Sequence, residues 1–291
     1  MIILGMDSLY NISNTFYLKA PPEYDDNNMY PEFQDKLDMF KEDIKDTVLN
    51  RKFHSYYKFG DGDYNFLNKI PEGSAKPGKR ALKKTYEQID LKPFLKGYVQ
   101  NDKYACLITK SNVEKFNSMF EKMPDYPSEI IYGLIANKWL LKNLPHKIGL
   151  IGAKQKIDLI KELIQFDEYK SYLGIENFTD FISIDQNFAC DDLEKTKKKI
   201  RKQLSKGSSD IYLLGIGHVK SGILHELKKF KKATYLDIGV GIDALAGLVN
   251  IYRPYFGNWQ NFKVANKNRK YKNIDILINN FGSLGNVKEL K

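Results

Sequence analysis

Asp61 and Asp63 are the residues whose types and spacing point most directly to chemistry. They lie one residue apart in Tyr57-Lys58-Phe59-Gly60-Asp61-Gly62-Asp63-Tyr64-Asn65-Phe66, with glycine before and between them. An Asp-x-Asp pair can give two hard oxygen ligands to one divalent cation. It leaves positions for water and a diphosphate, the coordination that Mg²⁺ or Mn²⁺ prefers. Glycine lets the backbone turn tightly and lets a ligand come close. The same residues also suit a plain turn, because Gly and Asp are the commonest turn formers.

Three further stretches combine glycine with charge: Gly149-Leu-Ile-Gly152-Ala-Lys154, Gly215-Ile-Gly217-His218-Val-Lys220 and Asp237-Ile-Gly239-Val-Gly241-Ile-Asp243. Each closes an apolar run and opens an amphipathic one. A helix start carries free N–H groups and partial positive charge, which suits a diphosphate. Lys154, His218 and Lys220 would add charge there. Glycine at such a junction also serves plain turn geometry. Asp243, at a helix start, is a candidate base for an acceptor hydroxyl and equally a helix N-cap. Asp237 is better placed to orient its neighbours.

These residues need elements to hold them. Phe33, Leu37, Phe40, Ile44 and Val48 recur at helical spacing and lead into an aromatic strand, 53–59. Residues 71–79, rich in Pro and Gly, read as a flexible loop able to close over a ligand, with a helix over 80–89. From about residue 103, apolar runs alternate with amphipathic stretches. Strands are expected at 104–109, 147–152, 181–185, 211–217 and 233–239, with helices from 112, over 130–141 and 155–164, through the lysine-rich run, over 220–228 and from 243. That alternation predicts an α/β fold: a Rossmann-like, mostly parallel sheet with helices on both faces. The strands lack polar alternation, as strands covered on both faces should. Ligands in such a sheet bind at the carboxyl ends of its strands. Residues 1–7 read as a first strand, 8–32 as irregular, and 274–278 as a final edge element.

Composition narrows the class. Hydrophobic residues make up 42% and charged residues 28% of 291, as in a soluble globular protein. No stretch approaches the ~18 apolar residues of a membrane span, and the first residues are too short and uncharged for a secretory signal. Cys106 and Cys190 form no disulfide framework, and a cytoplasmic setting with reduced thiols is expected. His54, His146, His218 and His225 show no metal-ligand spacing. The net charge is +10, concentrated in 195–202, 228–232 and 263–272. Such runs favour anionic partners, including nucleotides, nucleic acid or an acidic membrane surface. For 195–202 a solvated helix face is the preferred reading, because Leu193, Ile200 and Leu204 form one apolar stripe.

The Lys58-to-Tyr64 stretch, following an amphipathic helix, resembles the Arg-Phe/Tyr-Gly-Asp-Gly-Glu-Phe signature of the GT-D glycosyltransferases, the DUF1792-type domain. The later Leu213-Leu-Gly-Ile-Gly-His-Val-Lys220 and Leu236-Asp-Ile-Gly239 are similar to that family's closing half. Asp237 to Asp243, followed by Arg253-Pro-Tyr255, resembles the ending of some relatives. The resemblance spans 35–257, with 1–34 an N-terminal extension and 258–291 a tail packing on the same domain. It implies a GT-D-type fold and hexosyl or deoxyhexosyl transfer from a nucleotide sugar, typically UDP-linked, to a glycan or glycoconjugate. It also implies Mn²⁺ (or Mg²⁺) on Asp61 and Asp63. The donor would lie against Lys58, Phe59, Gly60, Gly152, Lys154, Gly215, Gly217, His218, Lys220, Gly239, Arg253 and Tyr255, with Asp243 and Asp237 catalytic. Three positions depart from the pattern: Asp63 stands for Glu, Lys58 for Arg and Val240 for Ser. Lysine keeps the charge but loses bidentate phosphate geometry.

Other classes compete. Asp237-Ile-Gly239-Val-Gly241 also resembles the S-adenosylmethionine loop of Rossmann-type methyltransferases, but too little chain follows it for the rest of such a sheet without a permuted order. A basic nucleic-acid-binding module would bind with steep salt dependence. A family member that binds nucleotide sugar without turning it over is a fourth reading.

Overall fold

The computed structural model describes residues 33–248, apart from 79–80, 108–109, 137 and 145–146. The expectations for residues 1–32, Arg253, Tyr255, the lysines of 263–272 and the 258–291 tail lie outside the described residues.

In chain order come α1 (Phe33–Leu49), β1 (Ser55–Phe59), α2 (Asp61–Leu67), α3 (Lys92–Gly97), β2 (Lys103–Cys106) and α4 (Lys110–Phe120). Next are β3 (Tyr126–Pro127), α5 (Ser128–Ala136), α6 (Trp139–Asn143), β4 (Ile148–Ala153), α7 (Lys154–Leu163) and α8 (Asp167–Leu173). The described chain closes with β5 (Asp180–Ile184), α9 (Leu193–Leu204), β6 (Ile211–Gly215), α10 (Lys220–Phe230), β7 (Thr234–Asp237) and α11 (Gly241–Leu245). The seven strands form one sheet in the order β3-β2-β1-β7-β6-β4-β5. Every pairing is parallel, so the fold is Rossmann-like α/β.

The chain moves outward from β1 to β2 and β3, then crosses to β4 and β5 on the other wing. β6 and β7 fill back in until Ser55 of β1 pairs with Tyr235 of β7. The chain leaves β1 for α2 and α3 on one face and leaves β7 for α11 on the other, and such a switch point between neighbouring strands leaves a crevice at the carboxyl edge.

Side-chain alternation along the strands feeds two cores. Tyr56, Leu213 and Leu236 face one, with Leu37 and Phe40 of α1, Ile130 of α5, Ile157 of α7 and Ile242 of α11. Tyr57, Leu214 and Tyr235 face the other, with Phe66 of α2, Phe94 of α3, Ile200 of α9 and Ile223 of α10. Each fully buried Leu, Ile or Phe contributes about 1.5–3 kcal/mol.

Some local expectations are corrected. No helix covers 81–89. Lys83 and Lys84 donate their backbone N–H groups to Asp191, and only a 3₁₀ turn forms at Tyr86–Gln88. The helix expected over 130–141 is divided, because Lys138 adopts a left-handed φ of 65°. Asp61 to Asp63 is the first turn of α2, not a loop.

Candidate functional site

β1 ends at Phe59, and α2 begins two residues later with Gly60 in the extended conformation between them. Asp63 is the third residue of α2, and its Oδ2 accepts the Gly60 N–H at 3.0 Å. That satisfies one of the orphan donors at a helix start. It also turns the Asp63 carboxylate inward, leaving the residue 6% exposed, while Asp61 stays at the surface and accepts the Gly62 N–H at 2.8 Å.

Lys220, the first residue of α10, meets Asp63 from the adjoining strand end. Its Nζ lies 3.0 Å from Asp63 Oδ2 and 2.7 Å from Asp237 Oδ2, and it donates to the Lys58 carbonyl. The Tyr57 ring centroid is 4.7 Å from the same nitrogen. Asp237, at the end of β7, also accepts the Gly239 N–H at 2.9 Å and the Lys58 N–H at 3.3 Å. Burial alone would raise the Asp63 pKa, but Lys220 first, then His218 and Lys58, hold it down to about 2.

Lys58 is the second buried ammonium, 5.2 Å from the Tyr132 ring centroid. Burial opposes its charge, yet Tyr132, Asp237 and Asp63 outweigh that and raise its pKa. Gly239, at φ 52°, makes room for it: a Cβ there would meet the Lys58 side chain and approach Tyr132 Oη to 3.3 Å. His218 shares a 3.0 Å hydrogen bond with Ser74 through Nε2, stacks on Phe66 at 4.8 Å, and places Nδ1 3.6 Å from Asp63 Oδ1. Asp243 pairs with Lys156.

A cleft of about 360 Å³ opens over these groups at the switch point. From β1 it is lined by Lys58, Gly60, Asp61 and Asp63, from β6 by Gly215, Gly217, His218 and Lys220, and from β7 by Asp237, Gly239 and Asp243. These residues, singled out from sequence, converge. Others do not. Phe59 packs between Phe116 and Phe120, with centroids 5.5 and 5.6 Å away. Gly152 is buried where a Cβ would sit 3.2 Å from Ile157 and Ile242, so it serves packing. Lys154 pairs with Asp158 at 2.5 Å on the outside of α7. Ser74, Tyr132, Lys156 and Cys190 also line the cleft and were not singled out from sequence. Ser74 sits in the Pro- and Gly-rich loop, and Lys156 lies two residues past Lys154 in the same helix start, so both had a local signal. Tyr132 and Cys190 had none. Burial pushes the Cys190 thiol well above its usual range, which makes it an inert wall.

No family model, curated protein or solved structure matches this chain.

The geometry of the cleft bears on the expected metal. Asp61 and Asp63 do not present two free carboxylates to one point. Asp63 Oδ2 is shared between the Gly60 N–H and Lys220, and Asp61 faces solvent. The space between Asp63 and Asp237, two buried carboxylates of the cleft, is filled by an ammonium. The donor set as arranged does not fit a divalent ion.

Proposed function

We propose that this protein transfers a sugar from a nucleoside-diphosphate donor, such as a UDP-sugar, to a hydroxyl of a glycan acceptor. The observation that carries the reading is the convergence of the Lys58 ammonium, the Lys156–Asp243 pair and the Gly217 turn on one cleft at the switch point of a parallel sheet. A departing diphosphate needs positive charge and close backbone approach. Gly217, exposed at φ 58° with nothing within 4 Å of a notional Cβ, offers that approach. In transfer, the acceptor oxygen bonds to the anomeric carbon and the carbon–oxygen bond to the diphosphate breaks. The electron pair leaves with the nucleoside diphosphate, and the acceptor's proton passes to Asp243. Lys58 stabilises the charge that develops on the leaving oxygen, and Lys156 holds the Asp243 carboxylate in place.

Thermal denaturation with UDP, GDP, UDP-sugars and S-adenosylmethionine tests this reading. Saturating UDP, at 100 times its dissociation constant, should stabilise the protein by about 2.7 kcal/mol. Lys58→Met should lose most of that stabilisation. A shift with S-adenosylmethionine and none with any nucleoside diphosphate would replace this reading with the methyltransferase one.

A further inference from the structure

Lys220 is placed as a bound cation would be. An ammonium has three N–H donors and no acceptor. Lys220 aims at three oxygens: Asp63 Oδ2 at 3.0 Å, Asp237 Oδ2 at 2.7 Å and the Lys58 carbonyl. Its remaining side rests against the Tyr57 ring, the aromatic face that favours a cation. The side chains of Lys220, Asp63 and Asp237 are 6%, 7% and 1% exposed, so the cluster is closed to bulk water. Buried charges persist only when paired and hydrogen-bonded.

The surroundings fix this arrangement. Asp63 is held by the start of α2 and Asp237 by the Gly239 and Lys58 N–H groups. Lys220 begins a helix packed against β1 and β7. An ion entering between the carboxylates would have to displace the ammonium from all three of its oxygens or sit beside it against like charge.

We propose that the Lys220 ammonium is the resident cation of this cleft, in the place a divalent metal would take, so that the cleft binds its anionic ligand without Mn²⁺ or Mg²⁺. The ligand's identity as a nucleoside diphosphate rests on the function proposed above; the exclusion of metal does not.

Mn²⁺ titration of the full chain, followed by calorimetry and by the paramagnetic resonance of the free ion, tests the exclusion without any nucleotide. Wild type should show no saturable site at millimolar Mn²⁺. Lys220→Met keeps the side chain's length and removes its charge, leaving Asp63 and Asp237 facing one another. The folded variant should gain a saturable Mn²⁺ site at least tenfold tighter than any binding by wild type. One tight Mn²⁺ per wild-type chain would overturn the proposal, and that titration decides the matter even if the variant does not fold. A folded variant with no gain would also overturn it. UDP titrated in EDTA forms the second arm. Binding unchanged by the chelator supports the proposal, and binding that requires Mn²⁺ refutes it. Absence of UDP binding under both conditions would count against the nucleotide-sugar reading, while the Mn²⁺ titration still decides the cation.

Discussion

Asp63 holds the start of α2 through the Gly60 N–H and anchors Lys220. Its carboxyl is held down to about 2, against about 3.9 in an unfolded chain. A depressed carboxylate stabilises the fold fully above its unfolded pKa, and that contribution is lost as pH falls through the folded one. Asp63→Asn should therefore be less stable than wild type by about 2 kcal/mol at neutral pH. The gap should close between about pH 4 and pH 2. Urea denaturation of both proteins across that range measures it; a gap that stays constant to pH 2 would show that the carboxylate's charge is not what matters. The sequence marked Asp61 and Asp63 as an equivalent pair. Only the helix starting at Asp61 separates them, turning one carboxylate inward and one to solvent. Likewise Lys154 and Lys220 each follow a glycine-containing strand end and look alike, yet one meets Asp158 at the surface and the other two buried carboxylates. Such partners come from distant strand ends, which residue spacing does not record.

At the scale of elements, most strands were legible because both faces of a parallel sheet are covered, so β4 and β6 read as unbroken apolar runs. β3 spans two residues and leaves no such trace. The break at Lys138 was illegible because it rests on a backbone φ that lysine rarely adopts. The turns after β6 and β7 show how strand ends shape the cleft. Gly217 and Gly239 both have positive φ, but only Gly239 has a neighbour, the Lys58 side chain, where a Cβ would go. Gly217→Ala should cost about 1–2 kcal/mol of stability from left-handed strain alone. It should also weaken UDP binding, because the new methyl projects into the open cleft. Gly239→Ala should cost more and displace the Lys58 ammonium. Denaturation and UDP titration of the two variants separate these effects. Equal stability losses would mean that the Lys58 side chain yields freely.

The whole molecule carries a net charge of +10, which alone would favour a polyanion as partner. Its distribution argues otherwise. In α9 the buried side is Leu193, Thr196, Ile200 and Leu204, so the lysines are what remains for solvent. Lys197 lies 3.2 Å from both Glu194 and Glu226, Lys199 pairs with Asp185 at 2.6 Å, and Lys228 of α10 pairs with Asp102 at 2.6 Å. Among the described residues, no helix is long and apolar enough to cross a membrane. Charge spread over such a face attracts phosphates only through a screened field, whereas groups inside the cleft are screened much less. Association with duplex DNA, followed by fluorescence anisotropy, should therefore be weak and independent of sequence. It should fall by orders of magnitude between about 50 mM and about 200 mM salt. UDP affinity should change far less over the same range, because its ammonium partner, Lys58, is buried in the cleft. DNA binding that persists at the higher salt, with UDP binding lost in parallel, would move the functional surface from the cleft to the basic face.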